Sequence, residues 1–311
     1  MGSLQELSIR LSTLAVFKEL QEDAVINSLR KYLAEPSPAL YASFVSALYR
    51  ANGGILGAYV REICENSENV YVQAVGKKEE IPAYLREAVL EELKTLQMTA
   101  ELTPETLRSA MEYKGFLPGF VSEAPDIKAC YTERTENIGK YGYGIYAKNR
   151  MFYLGENAEI VPVSNPDKTE LSDLVDYARE RQIIIDNTKA LLEGKPAANI
   201  LLTGDAGTGK SSTVKAVVNA LWREGLRIIE VRKDQLQSIP KILDELSANP
   251  LKFILFIDDL SFLKDDDNFN ALKAVLEGSV TAKSQNVAIY ATQKAQQNGA
   301  KVVAMSDSNG Y

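Results

Sequence analysis

The stretch LLTGDAGTGKSST, Leu201 to Thr213, sets a lysine, two serines and several glycines at intervals that suit one kind of chemistry, the holding of phosphates. Gly204-Asp205-Ala206-Gly207-Thr208-Gly209-Lys210-Ser211 fits G-x-x-x-x-G-K-[ST] at every constrained position, after an apolar run and before the amphipathic segment Ser211 to Trp222. Glycines let backbone N–H groups turn inward around phosphate oxygens, and the N-terminus of the following helix adds partial positive charge. Gly204 through Ser212 would then cradle a nucleotide, Lys210 would reach its β- and γ-phosphates as a catalytic cation, and Ser211 would ligate Mg²⁺. ATP and Mg²⁺ are the expected cofactors. A glycine-rich turn that binds nothing is the plainer alternative, and the flanking strand and helix weigh against it.

A second stretch, Phe253-Ile254-Leu255-Phe256-Ile257-Asp258-Asp259, is an apolar strand that ends in two acids. Ligands bind outside the carboxyl ends of strands in open α/β sheets, so this is where carboxylates meet substrate. Asp258 is assigned the metal, through its waters, and Asp259 the water that attacks the γ-phosphate. The nearby run Asp265-Asp266-Asp267 reads as a solvated loop and cap for a helix near Phe269 to Leu276, not as a metal site.

Positioning these groups takes a parallel sheet. Ala198 to Thr203, Leu226 to Val231, Lys252 to Ile257 and Asn286 to Thr292 are continuous apolar runs separated by helix-length segments, the pattern of buried parallel strands with right-handed crossovers. The expected core is an α/β sandwich over residues 166–292. Ahead of it, Leu4, Leu7, Leu11, Leu14 and then Val25, Leu29, Leu33 recur at helical spacing, with further helices expected at Ile81–Leu96 and Thr103–Tyr113. Tyr141 to Val163 reads as a β-hairpin whose tyrosines pack rather than stack on bases, and Asn165-Pro166-Asp167 reads as a linker. Residues 1–165 are therefore expected to form a mainly helical N-terminal domain with a short hairpin, and residues 293–311 an atypical tail.

Composition removes other chemistries. The chain of 311 residues contains no histidine, which excludes Ser-His-Asp triads, Cys-His pairs and histidine metal sites. Cys64 and Cys130 lack ligand spacing and read as buried thiols. A net charge of −7 argues against sequence-independent affinity for nucleic acid. Apolar runs fall far short of the ~20 residues of a membrane span, and Met1 to Arg10 lacks a signal-peptide core, so a cytoplasmic protein is expected.

Leu171 to about Thr292, with LSDLVDYARER, NILLTGDAGTGKSS, LRIIEV, FILFIDDLSF, ALKAVLEGSV and NVAIYAT, resembles the DUF815 family of AAA-type P-loop ATP-binding proteins. The resemblance covers about two-fifths of the chain. It implies that Gly204 to Ser211 are a phosphate loop and that Asp258 and Asp259 are magnesium and catalytic acids. It also implies a polar Ser-Asn-Arg-Arg segment after YAT, where an asparagine senses the γ-phosphate, and a small helical lid. Here Thr292 is followed by Gln293-Lys294-Ala295-Gln296, and GAKVVAMSDSNGY toward Tyr311 is similar instead to the nucleotide domain of glutamate dehydrogenase. Lys283-Ser284-Gln285 lacks dinucleotide-binding glycines, so no NAD site is expected; Lys301 to Ser306 is expected to add a fifth parallel strand. The tail is too short for the lid. Two function classes stay open: an ATPase working as an assembly, a homo-oligomer whose helical domain recruits an unknown protein partner, or a nucleotide-binding interaction module with negligible turnover. A loader acting on nucleic acid is a weaker third.

Overall fold

The computed structural model describes residues 3–260, 285–294 and 301–305, and the chain divides into two compact units, Met1–Ile138 and Gly139–Tyr311. The acidic run Asp265-Asp266-Asp267, the helix expected at Phe269 to Leu276 and the ends of the tail lie outside the described residues.

The first unit is built from helices α1 (Ser3–Ser12), α2 (Ala24–Ala34), α3 (Pro38–Asn52), α4 (Leu56–Glu65), α5 (Val70–Lys77), α6 (Ala83–Ala100), α7 (Pro104–Arg108) and α8 (Ile127–Glu136). Their starts follow local chemistry. Asp23, Ser37, Asn69, Thr103 and Asp126 each accept backbone N–H groups of the following turn, and Pro38 and Pro104 occupy first-turn positions where a missing N–H costs nothing. Leu7, Leu11, Val25, Leu29 and Leu33 are buried as their spacing requires. The helix expected to reach Tyr113 stops at Arg108, whose guanidinium donates to the carbonyls of Leu117 (2.7 Å) and Pro118 (3.0 Å) and so folds the following segment back.

One carboxylate ties distant parts of this unit together. Glu92 on α6 accepts the N–H groups of Ala15 (2.8 Å), Val16 (3.0 Å) and Phe17 (2.9 Å) in the turn after α1. Glu92→Ala leaves three donors without their acceptor, and a hydrogen bond to a charged group contributes about 1.5–3 kcal/mol net of its exchange with water. The expected result is a loss of roughly 2 kcal/mol in urea unfolding of the helical unit, with Glu92→Gln in between. Equal midpoints for wild type and Glu92→Ala would refute this role.

The second unit begins with two short helices, α9 (Ile138–Tyr141) and α10 (Ile145–Lys148), and continues β1 (Met151–Leu154), β2 (Ile160–Pro162), α11 (Ala178–Leu192), β3 (Asn199–Gly204), α12 (Lys210–Leu221), β4 (Leu226–Glu230), α13 (Ile239–Ser247), β5 (Lys252–Ile257), β6 (Val287–Lys294) and β7 (Lys301–Met305). These strands form one mixed sheet in the order β2-β1-β4-β5-β6-β3-β7. The run β1-β4-β5-β6-β3 is parallel throughout. Successive side chains on a strand point to opposite faces, and the two faces are covered separately. Ile228, Ile254, Phe256 and Tyr290 pack with Val214, Val217 and Leu221 of α12 and Ile184 and Leu191 of α11. Ile229, Leu255, Ile257 and Ile289 pack with Ile239, Ile242 and Leu246 of α13. This is a three-layer mixed α/β unit.

Three expectations change. The hairpin β1–β2 does not belong with the helical half: β1 pairs in parallel with β4, Phe152 opposite Ile229, so the unit starts near residue 139 and not at 166. Its apolar residues need the sheet, since Phe152 and Leu154 are 1% exposed within it. Tyr141 to Lys148, expected as strand, forms α9 and α10, and the Tyr146 ring packs 5.1 Å from Phe152 and 5.4 Å from Phe253. Lys301–Met305 does form a strand, but β7 runs antiparallel to β3, Leu201 opposite Val303.

Candidate functional site

The residues read from sequence as a phosphate loop lie where β3 turns into α12. Gly204 closes the strand, Asp205, Ala206, Gly207 and Thr208 form the turn, Gly209 caps the helix, and Lys210, Ser211 and Ser212 occupy its first turn. Gly207 (φ +81°) and Gly209 (φ +75°) stand in the left-handed region, and a Cβ at either would meet nothing within 4 Å. What these positions demand is therefore backbone conformation, which glycine supplies at no steric cost, and an uncrowded concave face. The Lys210 ammonium folds over that face, donating to the carbonyls of Gly204 (2.9 Å) and Asp205 (2.7 Å) and to Thr208 Oγ1 (3.2 Å). Backbone N–H groups at the start of α12 have no carbonyl within the helix to bond to, so the loop offers donors and positive charge on one side.

The acids arrive on a different strand, and sheet order brings them to the loop. Strand β6 lies between β3 and β5, with Leu202 opposite Thr292 on one side and Ile257 opposite Ala291 on the other. Asp258 follows the end of β5 on the face shared by Ile254 and Phe256, the face that α12 covers. Its Oδ1 accepts from Ser211 Oγ at 2.7 Å, joining the two stretches across 47 positions of sequence. It also accepts from Thr292 Oγ1 (2.5 Å) and the Asp259 N–H (3.1 Å).

Asp259 does not continue the strand. Its φ of +55° is left-handed, a conformation aspartate tolerates better than most residues, and its N–H is held by Thr292 Oγ1 at 2.8 Å. The two adjacent carboxylates therefore leave the backbone in different settings, one pinned against Ser211 and one beyond a sharp turn. Of the residues named from sequence, Ser211 and Asp258 meet directly and Lys210 stays on the loop; Asp259 enters through its backbone.

Thr292 is the member that sequence reading missed. It was visible only as the last residue of an apolar strand, and its 2% exposure places its hydroxyl inside the site. Gln293 and Lys294, at the place where an Asn-Arg segment is implied, continue β6 opposite Thr203 and Gly204.

The donor set suits a hard cation. Ser211 Oγ and Asp258 are oxygen ligands of the kind Mg²⁺ takes when phosphates complete its shell, since it is usually bound by one or two carboxylates plus substrate phosphates. Among the described residues, no cluster of three or more His, Cys, Asp or Glu could hold a metal by itself. No helix among them is long and apolar enough to cross a membrane.

Residues 147–297 match the family DUF815, described as a protein of unknown function, and this supports placing that part of the chain in the family. The match starts well before Leu171, taking in the hairpin that the sheet also claims, and runs past Thr292. No curated protein matches the chain.

Proposed function

We propose that the second unit binds Mg-ATP as an AAA-type P-loop domain. The observation that carries the reading is the 2.7 Å bond between Ser211 and Asp258, because it unites a phosphate-loop motif with a strand-end acid at the carboxyl ends of the parallel strands. In the loaded site, phosphates lie along the loop with Lys210 against their terminal oxygens, and Ser211 and Asp258 hold the metal. The metal would neutralise charge on the terminal phosphates; Lys210 orients them, and Asp259 is the group nearest in sequence that can position water. Gly204 to Ser212 complete the nucleotide cradle. The helical unit is assigned recruitment of a protein partner, with Phe116 at 88% exposure among its large apolar surface residues, and a net charge of −7 disfavours nucleic acid.

Calorimetric titration with ATP in Mg²⁺ and in EDTA tests the reading: binding should be present in both and tighter with the metal. Asp258→Asn should reduce the gain from Mg²⁺ by removing a negative charge from its surroundings, whereas Asp259→Asn should leave binding intact. Equal loss in the two variants would sink the division of labour.

A second reading is a nucleotide-binding interaction module with negligible turnover. Asp259 favours it: the residue is one methylene shorter than the glutamate usual at that place in AAA-type proteins, and its own backbone is left-handed. Phosphate release slower than ~1 s⁻¹, the lower end of typical enzyme rates, is expected.

A further inference from the structure

We infer that Thr292 is a positioning residue of the magnesium site, acting through its hydroxyl on Asp258; the inference rests on the nucleotide-binding reading above. A hydroxyl carries one donor and acceptor lone pairs, and Thr292 uses both at once. It donates to Asp258 Oδ1 at 2.5 Å and accepts from the Asp259 N–H at 2.8 Å. Its own carbonyl accepts the Leu260 N–H at 2.7 Å, so one buried residue grips three consecutive residues after β5.

The effect is directional. The Ser211 hydroxyl, the Thr292 hydroxyl and the Asp259 N–H all converge on Oδ1, while Asp258 Oδ2 takes part in none of these bonds among the described residues. The carboxylate is thereby fixed in rotation, with one oxygen committed to protein and the other kept for the metal's shell. Without the hydroxyl, Oδ1 keeps Ser211, but Ser211 is itself a metal ligand in this reading and would have to serve both. The Asp259 turn also loses a tether; a left-handed aspartate is strained and persists where its surroundings enforce it. Strand β6 supplies this tether because it lies between the loop strand and the acid strand.

Valine keeps the shape of threonine and removes the hydroxyl; serine keeps the hydroxyl and removes the methyl. The test is ATP titration of the full chain in Mg²⁺ and in EDTA, beside thermal melts. Thr292→Val should lower the Mg²⁺-dependent gain in affinity at least fivefold and leave the affinity in EDTA within twofold of wild type. Thr292→Ser should restore the gain to within twofold. A merely structural role would weaken both affinities together. If valine does not fold, Thr292→Ala removes the same hydroxyl in a smaller side chain and carries the same expectation. An unchanged gain in the valine variant, or a serine variant as impaired as valine, overturns the role of Thr292 alone. A wild-type chain that binds no nucleotide in either buffer overturns this inference together with the reading beneath it.

Discussion

Lys210→Ala will weaken ATP binding at least tenfold, equivalent to about 1.4 kcal/mol, and the fold of the second unit will survive it. In the proposed site the ammonium is the one compact positive charge on the loop that would face the terminal phosphates. Its three bonds to Gly204 O, Asp205 O and Thr208 Oγ1 hold it over the concave face of the turn, so a phosphate oxygen would compete for a group already aimed there. The variant loses that charge and also the links that draw the loop together. Arginine is no substitute, because a planar fork does not occupy the space of a point charge. Calorimetric titration decides the matter, and unchanged affinity in a folded Lys210→Ala protein would mean that the loop is only a turn.

Arg227→Met will destabilise the second unit by roughly 3 kcal/mol, which for a unit of this size lowers the melting temperature by about 6–12 °C. Arg227 is 1% exposed on β4 and is among the largest fully buried side chains of the protein. Its guanidinium donates to the carbonyls of Tyr146 (2.8 Å), Trp222 (2.8 Å), Leu226 (2.8 Å) and Tyr141 (3.3 Å), and it lies 5.7 Å from the centre of the Trp222 ring. Three of those carbonyls come from α9, α10 and the end of α12 and the fourth from the preceding residue of β4, so one side chain ties the entry of the unit to its sheet. Methionine fills similar space but donates nothing, and leaving a buried acceptor unmet costs about 1–3 kcal/mol. Arg227→Lys should fall between, since three donors on a flexible stem reach fewer of the four carbonyls. Thermal melting followed by circular dichroism measures the shift. A methionine variant that melts with wild type would show that the fork contributes nothing net.

The Thr103 cap and the glycine-rich strand-to-helix turn were legible because their requirements are local. Thr103 bonds to an N–H group three positions ahead, and Gly207 and Gly209 are needed by their own φ. The same holds for the apolar strands, whose burial follows from composition over five or six residues. Boundaries were less legible. The stretch Tyr141 to Lys148 alternates tyrosines with small residues as a strand does, yet closes two helical turns so that its carbonyls face Arg227, a residue about eighty positions away.

Sequence by itself determined that Gly204 to Ser211 would form a strand-to-helix turn with its N–H groups exposed, and that Asp258 would stand at the end of a buried strand. Backbone conformation and short-range hydrogen bonding set the turn, and the run of five apolar residues marks the strand, although its hydrogen bonds go to the distant β4 and β6. Only the tertiary structure decided that β6 lies between β3 and β5, that the hairpin extends the sheet, and that β7 joins it antiparallel. Strand order is chosen by which apolar faces can be covered together by α11, α12 and α13, a sum over the whole core that no window of sequence contains. Thr292 shows the difference most plainly: as a letter it ends a strand, and between its two neighbours it becomes the hydroxyl that holds Asp258 against Ser211.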